Sequence, residues 1–278
     1  MEVLRRSTAY LQGTEIDSPR FEAELLMAAA LGVGRLDLYL EFDRPLDEAE
    51  LERVRGLLRQ KVRGSPTAYL LGEREFFGLR FKVGPGALVP RPETELLVEL
   101  ALAAVDQGAA RCADLGSGTG CIGVTLAVRR PNLVVDAVDL SATAVELTRE
   151  NIQSHGVGER AFAFAGWWAE PLRGRGPYQL VVSNPPYVTT AEYLTLDRSV
   201  RDFEPREALD GGVDGLDCYR QLLPSVGPIL APGATLLLEG DPRRLGEVAD
   251  LCRLAWPGST ITLKPDLAQR ERVVEVQT

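Results

Sequence analysis

From Glu93 to the C-terminus, segments with helical spacing alternate with short apolar segments, and this alternation constrains the fold more than any other feature. Strands joined through helices run parallel, because each crossover returns the chain to the same end of the sheet. Only KPDLAQR separates the last two strands, which should therefore pair antiparallel. The sequence predicts an α/β fold with a mostly parallel seven-stranded sheet and a terminal antiparallel hairpin. The predicted strands are 111–115, 134–139, 161–165, 179–183, 234–239, 260–264 and 271–276.

The residues before this alternation have helical periodicity of their own. One helix fits the segment from Pro19 to Gly32, with Ser18 as its candidate N-cap, and another fits 47–62. Aromatic and β-branched residues after the breaker Gly64-Ser65-Pro66 predict a strand pair. The sequence is therefore divided into an N-terminal helical domain, a linker hairpin and an α/β domain. Their predicted bounds are 1–65, 66–90 and 91–278.

The composition is that of a globular protein, with 45% apolar and 26% charged residues. No apolar run is long enough to cross a bilayer, and the N-terminus lacks the apolar core of a secretory signal, so we expect a cytoplasmic protein. The four cysteines lack metal-ligand spacing, and the single histidine, His155, falls at a predicted helix end. We therefore expect no metal site.

The net charge of −9 bears on the class of partner. A protein that binds polyanions normally presents a basic surface, so this charge argues against general nucleic-acid binding. An acidic chain fits a small ligand better, or a partner protein that carries positive charge near its docking surface.

The segment CADLGSGTGCIGV joins the first predicted strand of the α/β domain to a helix through a glycine turn. Gly116, Gly118 and Gly120 have the spacing GxGxG, which differs from the dinucleotide fingerprint GxGxxG, and no phosphate-loop GK[ST] follows. Glycine permits both a sharp turn and the close approach of a ligand to the backbone. Asp114 lies at the strand end beside this turn. A purely structural turn is the alternative interpretation.

The second strand, VVDAVDLS, favours the ligand interpretation of that turn. Asp139 ends this strand, where an acid is placed to bind two ribose hydroxyls, whereas Asp136 lies earlier and is less well placed. Ser141 can cap the following helix. The two features predict a nucleoside cofactor, either NAD or S-adenosylmethionine. The GxGxG spacing and the closing strand hairpin favour S-adenosylmethionine.

The strand QLVVS delivers Asn184-Pro185-Pro186-Tyr187 to the same edge of the sheet. Prolines fix φ and donate no backbone hydrogen bond, so the Asn184 side-chain oxygen and the Pro185 carbonyl form a rigid pair of acceptors. Two acceptors match the two hydrogens of an NH2 group, and Tyr187 can pack against a flat group. A stiff structural turn is the alternative.

This pair of acceptors suits methyl transfer to a planar nitrogen. An amide or aromatic amine is a poor nucleophile, because its lone pair is delocalised. Acceptors that hold both hydrogens orient the nitrogen toward a methyl donor and stabilise the positive charge that develops on it. The predicted catalytic residues are Asn184, Pro185 and Tyr187, and Pro186 joins them in binding the substrate.

In order and content, these segments resemble the HemK/PrmC family of protein-(glutamine-N5) methyltransferases, class I S-adenosylmethionine-dependent enzymes with an NPPY motif. The resemblance covers almost the whole chain, whereas NPPY alone is shared with adenine-N6 DNA methyltransferases. It implies a Rossmann-like fold and an N-terminal domain that docks the substrate. The matching segments are SPRFEAELLMAAALG, GSPTAYLLGEREFFGLRFKV, LVPRPETELLVE, DLGSGTG, AVDLS, VVSNPPYV and FEPREALDGGVDGL.

The resemblance implies a substrate and a set of site residues. The substrate is the glutamine of the GGQ tripeptide in class I peptide chain release factors, and the cofactor is S-adenosylmethionine, with S-adenosylhomocysteine as product. Asp139 should hold the ribose and Trp167 should stack on the adenine, although Gly166 stands where the family often has an acid. The implied cofactor-binding residues are Asp114, Gly116, Ser117, Gly118, Thr119, Gly120, Asp139, Leu140, Trp167 and Asn184.

Two further segments have positions near this site. PRPETE, from Pro90 to Glu95, should cap the amino-acid end of the cofactor, with a structural helix start as the alternative. The loop FEPREAL, 203–209, should cover the substrate.

Two other functions compete with glutamine methylation. One is adenine-N6 methylation of nucleic acid, against which the acidic charge and the absence of a basic reading domain argue. The other is a non-catalytic nucleoside-binding scaffold, against which an intact NPPY beside an intact glycine turn argues. We expect a monomer whose partner is a release factor, with no stable nucleic-acid binding.

Overall fold

The computed structural model describes residues 2–14, 16–40 and 43–278, and the chain divides into two compact units. The first contains the residues up to Glu73 together with Asp197–Phe203. The second contains Arg74–Leu196 and Glu204–Thr278. The segment Asp197–Phe203 therefore belongs to the N-terminal unit, although it lies far along the sequence.

The first unit is a helical assembly around a small apolar core. Its helices are α1 (Glu2–Gln12), α2 (Pro19–Leu31), α3 (Asp37–Leu40), α4 (Glu48–Val62) and α5 (Thr67–Leu71), and α10 (Arg198–Arg201) joins them later in the chain. Leu11, Leu26 and Val54 form the centre of the core. Asp47 and Glu50 form a capping box that satisfies backbone donors at the start of α4.

Two local predictions for this unit were inaccurate. Ser18 precedes α2, but its side chain makes no capping hydrogen bond and its φ is 53°, so the predicted side-chain cap is absent. Residues 68–71 lie in α5 rather than in a strand, because Thr67–Leu71 forms a helical turn between Pro66 and Gly72, where φ is 72°.

The second unit contains the predicted α/β sheet. Its strand order is β5-β4-β3-β6-β7-β9-β8, in which β3 to β7 run parallel and the C-terminal pair runs antiparallel. The predicted seven-stranded sheet and terminal hairpin are confirmed. The strands are β3 (Arg111–Leu115), β4 (Val134–Asp139), β5 (Ala161–Ala165), β6 (Tyr178–Ser183), β7 (Leu230–Glu239), β8 (Thr260–Pro265) and β9 (Glu271–Gln277).

Helices cover both faces of this sheet. They are α6 (Glu95–Asp106), α7 (Cys121–Arg129), α8 (Ala142–Ser154), α9 (Thr190–Tyr193), α11 (Asp217–Val226) and α12 (Leu245–Ala255), and a separate hairpin joins β1 (Glu73–Phe76) to β2 (Leu79–Lys82). Alternate strand residues enter different cores: Val181 packs with the cluster that includes α11 and α12, and Leu180 and Val182 pack with the cluster of α6 and α7. Two-sided burial explains the continuous apolar runs in the sequence.

The strand order reverses direction between β3 and β6. From β3 the chain proceeds outward through β4 and β5, then returns to the other side of β3 as β6. Helices on opposite sides of such a switch point diverge and leave a crevice at the carboxyl ends of the strands. Leu115 is paired with Ser183, so the residues that follow these two strands emerge side by side.

Asp136 has a structural position inside this sheet. Its side chain is fully buried, and its Oδ2 accepts hydrogen bonds from Arg111 Nη2 and from the Tyr178 hydroxyl, each at 2.6 Å. Burial raises the pKa of Tyr178, and the neighbouring carboxylate adds to that shift. Asp136 therefore helps to hold three strands together and does not reach the end of β4.

We expect Tyr178→Phe to lower the free energy of unfolding by about 1–3 kcal/mol, because it removes a hydrogen bond to a buried carboxylate. Urea denaturation measures this change. Tyr10→Phe is the matched control, since Tyr10 is exposed, and it should change stability by less than about 0.5 kcal/mol. Equal stability of the two variants would contradict the role assigned to Asp136.

Candidate active site

A cavity of about 960 Å³ opens at the carboxyl ends of β3, β4 and β6. It brings together most of the residues that the sequence predicted for a cofactor and substrate site. Those that line it are Gly116, Ser117, Gly118, Thr119, Asp139, Leu140, Trp167, Asn184 and Pro186. Asp114, Gly120, Pro185 and Tyr187 do not line it. Within the described residues, no cluster of histidine, cysteine and carboxylate side chains could hold a metal ion.

The glycine turn forms one wall of this cavity. Gly116, Gly118 and Gly120 have φ values of 75°, 57° and 77°, in the left-handed region that favours glycine. A Cβ at Gly120 would lie 2.8 Å from Thr148 Cγ2, so this glycine is required by packing. A Cβ at Gly118 would meet no protein atom within 4 Å. Gly118 therefore leaves free space on the cavity side.

Asp139 lies beside the turn and is held by backbone donors. Its Oδ2 accepts from Gly118 N at 2.8 Å and its Oδ1 from Ser141 N at 2.9 Å. Burial raises the pKa of Asp139, while these backbone N–H groups act in the opposite direction. The Ser141 side chain accepts from Ala144 N at 3.3 Å, which confirms the predicted cap of α8.

Asp114 lies behind the turn. Its side chain is fully buried, and its Oδ2 accepts from Gly123 N at 2.9 Å. Burial raises the pKa of Asp114 to about 7. The sequence grouped it with the cofactor-binding residues, but its observed contact holds the first turn of α7, which places Asp114 in support of the cavity wall.

Two tryptophans form the wall that follows β5. Trp167 lines the cavity and is 42% exposed, so part of its indole is accessible to a ligand in the cavity. Trp168 also lines it and lies below Gly116, whose Cβ would be 3.7 Å from Trp168 Cζ3. A Cβ at Gly166 would lie 2.3 Å from Pro171 Cγ. Pro171 therefore excludes an acidic side chain at position 166 of this chain.

The NPPY turn presents only part of itself to the cavity. Asn184 and Pro186 line it, whereas Pro185 is buried and the Tyr187 ring packs against the apolar cluster of α11 and α12. Burial raises the pKa of Tyr187. The ring is only partly buried, and the packing of Tyr187 against a flat substrate group stays a prediction.

The backbone of this turn is held by the loop before α11, a contact that sequence reasoning missed. Val188 N donates to Leu209 O at 3.0 Å, and Gly211 N donates to Val188 O at 2.7 Å. A Cβ at Gly215 would lie 2.5 Å from Tyr187 O. The glycines of DGGVDG therefore allow a close backbone contact, and their clustering was the available sequence signal.

Glu204 joins two loops that line the cavity. It is 5% exposed and accepts from Val89 N at 2.9 Å and from Arg91 Nη2 at 2.6 Å. Arg91 and Pro205 both lie in the cavity wall. This contact places the start of PRPETE and the FEPREAL loop at the same rim, and the roles expected of them toward cofactor and substrate stay predictions.

Family models and a solved structure agree with this architecture. The PrmC N-terminal domain matches residues 2–72, and the Methyltransferase small domain matches residues 92–201. A methyltransferase from Pyrococcus furiosus is similar in fold, with a TM-score of 0.52 and 18% identity over 73% of this chain and 89% of that chain. The fold and its switch-point cavity define a class I S-adenosylmethionine-dependent methyltransferase.

Two relatives narrow the class to a family. A release factor glutamine methyltransferase from Nitratidesulfovibrio vulgaris is 39% identical over 276 residues, which is 98% of this chain and 92% of the relative. One from Geobacter sulfurreducens is 43% identical over 238 residues, 86% of this chain and 82% of the relative. The chain belongs to the family of release factor glutamine methyltransferases.

Asp114→Asn should flatten the pH dependence of stability. Because burial raises the pKa of Asp114 to about 7, the folded state binds a proton more tightly than the unfolded chain between about pH 4 and pH 7. Stability therefore falls as the pH rises through this window, by up to about 4 kcal/mol. An amide at position 114 cannot ionise, so Asp114→Asn removes that part of the decrease in stability.

Urea denaturation at about pH 5 and about pH 8 measures the difference. Asp250→Asn, at an exposed position, is the control and should keep the slope of the unmodified protein. A slope that Asp114→Asn leaves unchanged would show that the Asp114 carboxyl is not the titrating group.

Proposed function

We propose that this protein transfers the methyl group of S-adenosylmethionine to the side-chain amide nitrogen, N5, of the glutamine in the GGQ tripeptide of class I peptide chain release factors. The observation that carries the proposal is the position of Asn184. Its side chain lies at the switch-point cavity, and its Nδ2 donates to Thr94 Oγ1 at 3.1 Å. In this orientation the Asn184 carbonyl oxygen is available to accept from a substrate.

The residues of the cavity fit the cofactor. The volume of about 960 Å³ is ample for a nucleoside joined to an amino acid. Gly118 leaves room beside the backbone, Asp139 presents a carboxylate at the end of β4, and Trp167 presents an indole face. When bound, S-adenosylmethionine supplies an electrophilic methyl group on a positively charged sulfur.

The chain itself orients the nitrogen that is methylated. Asn184 Oδ1 accepts one hydrogen of the glutamine NH2, and the Pro185 carbonyl is the second acceptor that we expect. These oxygens fix the direction of the nitrogen lone pair and stabilise the positive charge that develops on it. One N–H proton then leaves, which restores a neutral secondary amide.

The nucleic-acid alternative is not favoured by the family to which the chain belongs. The net charge of −9 also opposes binding to a polyanion. We therefore propose a release factor as the macromolecular partner, and a protein that acts as a monomer without stable nucleic-acid binding.

Asn184→Ala should lower the rate of glutamine methylation by about 10²–10³-fold, because it removes a preorganised acceptor from the reacting nitrogen. The assay combines labelled methyl donor with a release factor and with its GGA variant. Asn132→Ala, at an exposed asparagine, is the matched control. An undiminished rate in Asn184→Ala would refute the role proposed for Asn184. Label on the GGA variant, or on DNA alone, would refute the proposed function.

The N-terminal unit is the docking surface that we propose for the release factor. Leu36 and Leu40 are each 70% exposed and stand one turn apart, where Leu40 N donates to Leu36 O. Exposed apolar side chains at neighbouring positions are typical of interaction surfaces.

The double substitution Leu36→Ser and Leu40→Ser should raise KM for the whole release factor about 30-fold, since each lost apolar contact weakens binding by about 1 kcal/mol. The kcat/KM for a short GGQ peptide should stay unchanged. Leu254→Ser and Leu267→Ser, exposed positions of the second unit, are the matched control. A KM that does not differ between the two double variants would contradict docking at this surface.

A further inference from the structure

Asn184 has neighbours whose role the methylation chemistry does not explain. Thr94, at the start of α6, is 3% exposed and accepts the Asn184 Nδ2 hydrogen bond at 3.1 Å. Glu239 is the last residue of β7. Because Ser183 is paired with Leu238, Glu239 lies directly beside Asn184, the residue that follows β6. Glu239 is 1% exposed, and neither carboxyl oxygen has a hydrogen-bond partner among the described residues. A buried carboxyl in this state calls for an explanation.

The side chain of Asn184 has two orientations that differ in what they offer a substrate. With the carbonyl oxygen toward the cavity it accepts from an NH2 group, and with its own NH2 toward the cavity it cannot. A threonine hydroxyl can donate or accept, so Thr94 alone does not decide between them. A group that only accepts, hydrogen-bonded to Thr94 from behind, would fix the direction of the hydrogen bond between Thr94 and Asn184.

We propose that Thr94 and Glu239 are positioning residues that set the orientation of the Asn184 amide. After a small rotation of the side chains closes that contact, the Thr94 hydroxyl donates its hydrogen bond to the Glu239 carboxylate. The Thr94 oxygen can then only accept from Asn184 Nδ2. The Asn184 carbonyl oxygen is thereby directed at the substrate. The inference rests on the proposed function, since it specifies how Asn184 accepts from the glutamine amide.

The ionisation of Glu239 controls the direction of the hydrogen bonds that run from Glu239 through Thr94 to Asn184. When protonated, Glu239 can donate to Thr94, which can then donate to Asn184 Oδ1 and turn the amide NH2 toward the substrate. Burial raises the pKa of Glu239 to about 7, while the Thr94 hydroxyl and the Arg272 guanidinium act in the opposite direction. Above this pH the productive orientation is held, and it is lost as the pH falls.

Other titratable and charged groups face Glu239 from the elements around it. The charge of Glu93, on the turn before α6, raises its pKa, and that of Arg272, on β9, lowers it. Its own charge in turn raises the pKa of Tyr187, Tyr219 and Cys121. Asp241, two residues beyond Glu239, is held by Arg243 and Arg244. If one of these groups titrates in the same pH range, its effect on kcat persists when Glu239 is substituted, whereas the effect of Glu239 is lost.

The first test compares Thr94→Val with Thr94→Ser in the full-length protein acting on a release factor. Valine has the shape of threonine but no hydroxyl, so kcat should fall about tenfold or more as the Asn184 amide loses its partner. Serine restores the hydroxyl and should restore kcat. The affinity for S-adenosylmethionine, measured by calorimetry, should be equal in both variants. Thr262→Val, at an exposed position, is the control.

The second test is the pH profile of kcat. The unmodified protein should lose activity below about pH 7, and Glu239→Gln, whose side-chain amide does not titrate, should lack this acid limb. Thermal unfolding of each variant verifies that it is folded. Equal kcat in Thr94→Val and Thr94→Ser, or an unchanged acid limb in Glu239→Gln, overturns the positioning role of Thr94 and Glu239. In that case, activity of the unmodified protein on GGQ still supports the proposed function. Absence of that activity defeats the function itself.

Discussion

The parallel pairing of β3 with β6 is the interaction on which the site depends. Leu115 and Ser183 are paired at the carboxyl ends of these strands, and Ser183 Oγ donates to Leu115 O at 2.6 Å. The glycine turn follows one strand and Asn184 follows the other, so this pairing sets the distance between them. Because the strand order reverses here, the crossovers diverge, and the cavity forms between two segments distant in sequence.

Burial of charge is the second constraint on this region. Asp114 is the penultimate residue of β3 and Glu239 is the last residue of β7, two strands that flank β6, and burial raises the pKa of each to about 7. Neither carboxyl lines the cavity: Asp114 holds the first turn of α7 through Gly123 N, and Glu239 lies behind Thr94, which does line it. Such groups lower the stability of the folded state near neutral pH in exchange for fixed geometry at the site, a pattern common around functional sites.

Predictions from the sequence were accurate for elements set by a local pattern of apolar residues, and less accurate where other contacts set the conformation. Strands 111–115, 134–139 and 161–165 were predicted with the bounds that the structure gives them. The first two are buried on both faces, and the third is the apolar run AFAFA at the sheet edge. Ser18 and the turn Thr67–Leu71 were misassigned, since their conformations depend on neighbouring backbone geometry rather than on periodicity. Tyr187 was expected at the substrate because its ring can stack. The structure shows this partly buried ring against the apolar cluster of α11 and α12, and its contact with the substrate stays a prediction.

The sequence by itself determined the sheet and its terminal hairpin, the sheet edge at which the glycine turn, Asp139 and Asn184 meet, and the resemblance to the family. These follow from periodicity and from residues close together in the chain. Only the tertiary structure decided that DGGVDG holds the NPPY backbone and that Thr94 and Glu239 lie behind Asn184. Contacts between residues far apart in sequence leave no periodic signal, so only the folded chain reveals them.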